Sequence, residues 1–239
     1  MIAVTEDGFL DGRLRICQPE RGFRAGLDAV MLAAAVPAKA GETVLEMGAG
    51  VGTASLCLAA RVAGCAIRGI EIEPALVALA NRNAAENGVA DRVHMKQGDV
   101  LARAGRTQFT HVFANPPFHE AARGRSPDGD RARALHDEGY LKDWLRIGIK
   151  AVESKGTFTA IIRADRLTEA LQALPEAGLS LFPLWPKAGE PAKRVILQAR
   201  IGSKAAMALL PGLILHMKDG SYTTEANAIL RDTAALRIS

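Results

Sequence analysis

The residues best suited to chemistry stand together in Asn115-Pro116-Pro117-Phe118, directly after an apolar run over residues 109–114. Two consecutive prolines carry no amide hydrogens, so the carbonyls of this turn are not used up in a ladder and stay available as acceptors. Asn115 adds a side-chain carbonyl. Together these acceptors can grip the hydrogens of a planar NH₂ group while Phe118 stacks on the ring that bears it. A second constellation lies upstream, Val44-Leu45-Glu46-Met47-Gly48-Ala49-Gly50-Val51-Gly52-Thr53: the end of a buried strand, an acid, three glycines spaced two apart, and then an apolar helical run over 54–62. Glycines at that spacing permit a tight turn and a close approach of backbone to a ligand, and the following helix points unpaired amides into the same space. The pattern is that of a nucleotide-type cradle.

The spacing limits the ligand. A dinucleotide-binding turn wants its third glycine one position later, where this chain has Thr53. Gly-x-Gly-x-Gly preceded by Glu46 resembles the first motif of the class I S-adenosylmethionine-dependent methyltransferases. That resemblance implies a turn that passes under the methionine part of the cofactor, with no pyrophosphate to neutralise. An acid at Glu46 then suits a zwitterionic amino acid and a sulfonium. Glu71 lies nineteen positions past Gly52 (71 − 52), at the tip of a second strand over 65–70, where a carboxylate can accept both ribose hydroxyls. Ile72 follows it. After a third strand, Gly98-Asp99-Val100 places Asp99 to accept from the adenine amino group of the cofactor. Glu46, Gly48, Ala49, Gly50, Gly52, Glu71, Ile72, Gly98, Asp99, Val100 and Asn115 are the expected cofactor residues, with Arg24 from an N-terminal arm.

An exocyclic amine on an aromatic base is a poor nucleophile, because its lone pair is delocalised into the ring. Two acceptors on its hydrogens favour a pyramidal nitrogen and free that lone pair toward an electrophilic methyl, by positioning and electrostatics without a strong base. Asn-Pro-Pro-Phe at the end of a fourth strand is similar to the motif of the methyltransferases that modify exocyclic amines of bases and, in one branch, glutamine side chains. Gln18…Gly22-Phe23-Arg24…Leu27-Asp28-Ala29-Val30, and later Arg131…Ala134…His136-Asp137-Glu138, resemble the branch that includes the tRNA1(Val) adenine-37 N6-methyltransferases. By that resemblance Asn115, Pro116, Pro117 and Phe118 take the target base. Phe118 followed by His119 departs from the Tyr frequent in adenine enzymes and also occurs in rRNA guanine-N2 methyltransferases, so both bases stay open here.

These residues need a scaffold that brings strand ends to one edge. Strands are expected over 44–45, 65–70, 92–96 and 109–114, with helices over 54–62 and from Pro74 to a stop at Asn87-Gly88. A helix over 140–154, a strand over 156–163, a helix over 165–176 and strands over 179–184 and 194–201 follow. The expected fold is α/β, of class I methyltransferase, Rossmann-like type: a seven-stranded mixed sheet, sixth and seventh strands antiparallel, with helices on both faces. Before it come a hairpin turning at Asp11-Gly12 and an apolar helix over 29–36; after it come a strand over 213–217 and a short helix from Thr223. The division is thus one methyltransferase domain: 1–40 an arm over the cofactor site, 41–201 the core, 202–239 an extension. Arg24 and Asp28, four apart at a helix start, also suit a surface ion pair.

At 239 residues one domain can bury a full core. A formal charge of +4 permits a nucleic acid partner without requiring one. His119, Arg123, Lys193 and Arg194 are the expected substrate contacts, the last two in a basic hairpin that suits phosphates. Cys17, Cys57 and Cys65 lack metal-ligand spacing and read as core residues of a reducing cytoplasm. No metal is expected, because a sulfonium is already an activated electrophile. The longest apolar runs, 29–38 and 205–215, are short and broken by proline, so no membrane span is expected. The expected activity is methyl transfer from S-adenosyl-L-methionine to a nucleobase amine, foremost adenine N6 in tRNA. Guanine N2 in rRNA, a protein glutamine, and an RNA-binding module without activity are the alternatives.

Overall fold

This structure, a computed structural model, describes residues 3–22, 24–102, 108–117 and 129–238, the backbone alone over 129–139. In chain order the elements are β1 (Val4–Phe9), β2 (Leu14–Pro19), α1 (Leu27–Ala35), β3 (Thr43–Met47), α2 (Thr53–Arg61), β4 (Ala66–Glu71) and α3 (Pro74–Glu86). Then come β5 (Val93–Gln97), β6 (Phe109–Ala114), α4 (Gly129–Lys150), β7 (Val152–Arg163), a 3₁₀ turn (Ala164–Arg166) and α5 (Leu167–Leu171). The chain ends with β8 (Leu179–Lys187), β9 (Arg194–Arg200), β10 (Ala208–Leu209), β11 (Leu213–His216) and α6 (Thr224–Asp232).

The large sheet runs β10-β8-β9-β7-β6-β3-β4-β5, with β11 also paired to β8. From β3 the chain steps outward to β4 and β5, then crosses back to β6 on the other side of β3. That reversal opens a crevice at the carboxyl ends of β3 and β6, the place where open α/β sheets bind ligands. β8 and β9 are antiparallel to each other, as a hairpin demands, and β9 is the strand that runs against the rest. β10 and β11 lie parallel to β8 along its outer edge, so among the described residues the sheet has nine strands where seven were expected.

Alternation of side chains builds the two faces. Along β6, Phe113 enters the cluster with α1, α2 and α3, while Val112 and Ala114 enter the one with α4 and α5. Ile161 on β7 goes with Phe113, and its neighbours Ala160 and Ile162 go the other way. Two helices end several residues earlier than the sequence predicts. The helix expected over 140–154 ends at Lys150, and β7 begins at Val152. The one expected over 165–176 stops at Leu171, before Leu174-Pro175, where the proline ring disfavours helical backbone in the residue ahead of it.

The hairpin β1–β2 forms its own two-stranded sheet and is fastened to the domain by a helix. Asn83 Oδ1 accepts from Cys17 N at 2.9 Å, and its Nδ2 donates to Cys17 O and to Val51 O, each at 3.0 Å. One turn on, Asn87 pairs in the same way with N and O of Arg15. The rise of one helical turn nearly matches two residues of strand, so two amides on α3 take the place of a neighbouring strand for β2. Through Val51 the same Asn83 is tied to the glycine turn. Among the described residues no helix is long and apolar enough to cross a membrane.

Candidate active site

A cavity of about 820 Å³ opens at the carboxyl ends of β3, β4, β5 and β6. The glycine turn between β3 and α2 forms its floor. Gly48 has φ +67, and a Cβ there would come 2.5 Å from Cη2 of Trp144, so only a bare backbone fits beneath that ring. Gly50 N donates to Glu71 Oε2 at 2.8 Å, and Glu73 N donates to Oε1 at 3.0 Å. Glu71, 8% exposed, thereby clamps the glycine turn to the start of α3. Gly98 N donates to Glu71 O, and the Asp99 carboxylate accepts from Leu101 N, which closes the turn after β5. Glu46, Gly48, Ala49, Gly50, Glu71, Ile72, Gly98, Asp99 and Val100 all line the cavity.

Glu46, on β3, is buried beside the start of α2, where its Oε2 accepts from both N and Oγ of Ser55. Burial pushes its carboxyl up to about 8; the Ser55 hydrogen bonds oppose the shift and the nearby Glu71 charge adds to it. Between about pH 4.5 and 8 the unfolded chain therefore carries an ionised Glu46 and the folded chain a neutral one. Folding takes up a proton, and this group's contribution to stability falls as pH rises through that window. Glu46→Gln cannot ionise. By urea unfolding it is expected to gain on the wild type by at most about 1.4 kcal/mol per pH unit over that range. A difference that does not change with pH would mean that the folded, unliganded protein holds the carboxylate ionised.

Two expected cofactor residues are elsewhere. Gly52 is not part of the cavity wall: it caps α2 with φ +83, and a Cβ on it would lie 3.4 Å from Ala80 Cβ and 3.5 Å from Met95 Cε. It serves the packing of the turn against α3 and β5. Arg24 also turns away, because its guanidinium is held within the N-terminal hairpin by the Asp7 carboxylate, Thr5 Oγ1 and Pro19 O. Gln18 holds the arm over the cavity instead, with Oε1 accepting from Ala25 N at 2.8 Å and Nε2 donating to Asp7. Nor do Arg24 and Asp28 pair with each other. Asp28 accepts from Arg194 Nε at 2.8 Å, joining α1 to β9 across 166 residues.

Arg194 lines the cavity, directly across from Arg163 in the β7–β9 register. Lys193, beside it, is exposed and does not line the cavity. Phe118, His119 and Arg123 fall outside the described residues, as do the side chains of His136, Asp137 and Glu138. Tyr140, Trp144 and Arg163 line the cavity although nothing in the sequence singled them out. The first two are four apart on α4, a spacing that reads equally well as the apolar face of a helix.

Asn115, Pro116 and Pro117 follow β6 into the cavity wall. Asn115 Oδ1 is buried and accepts no hydrogen bond from the described residues. Thr53 Oγ1 and Trp144 Nε1, on residues that line the same cavity, are buried and have no partner among the described residues either. An unpaired buried polar atom costs about 1–3 kcal/mol. The three residues that carry these atoms line one cavity, together with the buried acids Glu46 and Glu71. The three free, buried cysteines, Cys17, Cys57 and Cys65, stand apart from the cavity, and no group of metal-ligating side chains occurs among the described residues.

Residues 25–127 match the family described as the methyltransferase small domain. The tRNA1(Val) (adenine(37)-N6)-methyltransferase of Porphyromonas gingivalis is 30% identical over 239 residues, 93% of this chain and 92% of that one. Its counterpart from Actinobacillus pleuropneumoniae is 27% identical over 225 residues, 92% of this chain and 94% of that one. Among solved structures, a protein described as a predicted O-methyltransferase from Agrobacterium tumefaciens superposes with a TM-score of 0.74 at 25% identity, covering 88% of this chain and 98% of that one.

Proposed function

We propose, from the premise that this chain belongs to the tRNA1(Val) (adenine(37)-N6)-methyltransferase family, that the acceptor is the N6 amine of an adenine in the anticodon loop of a tRNA. The chain is an S-adenosylmethionine-dependent methyltransferase with an RNA substrate. The observation that carries the finer reading is the unpaired, buried Asn115 carbonyl at the end of β6.

The residues present fit the cofactor. Glu46 and Glu71 are both buried beside the glycine turn; Glu71 suits the ribose, and Glu46 suits the cationic amino-acid end, whose charge would favour its ionised form. Gly50 lines the cavity with open space where a Cβ would stand, and the exposed Asp99 suits the adenine edge. When bound, S-adenosylmethionine supplies a methyl group on a sulfonium, an electrophile that needs no metal. The protein's part is to hold the amine. Asn115 Oδ1 accepts one N6 hydrogen, and a carbonyl of the proline turn accepts the other. That arrangement draws the nitrogen lone pair out of the ring system and fixes its direction. Phe118 is the residue we assign to stacking on the base, and His119, Arg123, Lys193 and Arg194 to holding the RNA backbone. The arm, residues 1–40, covers the cofactor through Gln18, the core over 41–201 carries the reaction, and 202–239 extends the sheet at the β8 edge.

Nucleoside mass spectrometry of tRNA and rRNA from cells with and without the gene tests this. One N6-methyladenosine is expected to vanish from the tRNA fraction and to reappear when purified protein and S-adenosylmethionine are added. Loss of N2-methylguanosine from rRNA, with tRNA unchanged, would transfer the same site to guanine.

A further inference from the structure

Trp144 takes no part in the mechanism above, although its environment is as unusual as that of Asn115. Its side chain is 5% exposed, lines the cavity, and leaves the indole Nε1 buried without a partner among the described residues. The ring has little freedom: its benzo edge lies against the bare backbone of Gly48, and Tyr140 packs on it with ring centroids 6.1 Å apart. An indole N–H is a donor and never an acceptor, so its missing partner must be an acceptor. Trp144 shares a core cluster with Ala114, the residue before Asn115, on the α4 face of the sheet. Two residues of one cavity wall thus carry an unpaired donor and an unpaired acceptor.

We infer that the Trp144 indole N–H is a specificity-determining donor that reads the ring nitrogen next to the target amino group and, with the Asn115 carbonyl, selects adenine over guanine. The inference rests on the adenine N6 reading. In adenine the amino group lies between two ring nitrogens that accept, N1 on the Watson–Crick edge and N7 on the major-groove edge. Either one presents an acceptor beside a donor, the complement of Trp144 and Asn115. In guanine the amino group lies between N1–H, a donor that would meet the indole N–H donor to donor, and N3, an acceptor on the sugar edge beside the ribose, so a guanine could satisfy the indole only by presenting that edge. A site built to pair with a substrate group rejects an analogue that leaves the site's own buried group unpaired. The acids that suit the cofactor, Glu46, Glu71 and Asp99, come from β3, β4 and the turn after β5, whereas Trp144 comes from α4, the helix that follows the Asn115 turn.

The test uses the full chain and anticodon stem-loop RNAs with adenosine, 1-deazaadenosine or 7-deazaadenosine at the acceptor position, in which one ring nitrogen is replaced by C–H. Trp144→Phe keeps the aromatic packing and removes the N–H. It is expected to lower kcat/KM on adenosine about tenfold to a hundredfold while leaving S-adenosylhomocysteine affinity unchanged. The wild type should lose a similar factor on one of the two deaza RNAs, and that one names the nitrogen read. On that RNA Trp144→Phe should lose nothing more, because the contact is already gone. Equal losses for the variant on all three RNAs, or a variant as fast as the wild type on adenosine, would overturn the inference. So would a wild type that ignores both deaza substitutions, a result that needs no variant to fold. A wild type inactive on the adenosine RNA overturns the adenine reading itself, and that is seen before any variant is made.

Discussion

Asn115→Ala is expected to slow methyl transfer by about 10²–10³, the loss found when one preorganised hydrogen-bonding group is removed from a developing charge. The structure makes this substitution unusually clean. Asn115 Oδ1 has no partner among the described residues, so truncation breaks none of their hydrogen bonds to it and removes a buried atom that was already unsatisfied. Thermal stability should hold or rise slightly. Cofactor affinity should change little, since Glu46, Glu71 and the glycine turn remain in place. Single-turnover methylation of tRNA with labelled cofactor isolates the chemical step from binding. A variant that transfers methyl at the wild-type rate would reduce Asn115-Pro116-Pro117 to a rigid end for β6 and remove the basis of the proposed mechanism.

Glu71→Ala should weaken cofactor binding by about 1–3 kcal/mol, roughly fivefold to more than a hundredfold in Kd. Two losses combine here. The ribose hydroxyls lose the acceptor we assign to them, and the amides of Gly50 and Glu73 lose the carboxylate that clamps the turn to α3. Glu71→Gln separates the two, because its single carbonyl can serve one amide but not both. Its affinity should fall between those of the wild type and the alanine variant. Calorimetry with S-adenosylhomocysteine, with melting temperatures recorded alongside, reads both effects. An alanine variant that stays folded and binds at wild-type affinity would show that the cofactor does not engage Glu71.

What the sequence determined by itself is what depends on neighbours along the chain. The glycine turn after Glu46 shows as an acid and three glycines at fixed spacing. The acid at the tip of β4 shows because a strand must end before Pro74 can open a helix. The Asn-Pro-Pro turn shows because proline leaves no doubt about the loss of amide hydrogens. Each is a statement about a few consecutive residues and the backbone they allow. The α/β class followed for the same reason, from alternating strands and helices whose periods differ.

Tertiary structure decided which of those residues reach the cavity. Gly52 sits in the same turn as Gly48 and Gly50, yet it faces Ala80 and Met95, because successive residues of a tight turn point in different directions. Arg24 was drawn to Asp7, seventeen positions earlier, by a hairpin register that no local pattern announces. Asp28 met Arg194 across 166 residues. Asn83 and Asn87 look like ordinary helix polar residues until β2 is laid beside α3 and their amides become its ladder. Trp144 reads as core on any helical wheel. Only the crossing of α4 over the glycine turn sets its ring on Gly48 and brings the residue into the cavity wall that also carries Asn115. A side chain's type is written in the sequence, but its partner is chosen by packing, and packing joins residues that the chain keeps far apart.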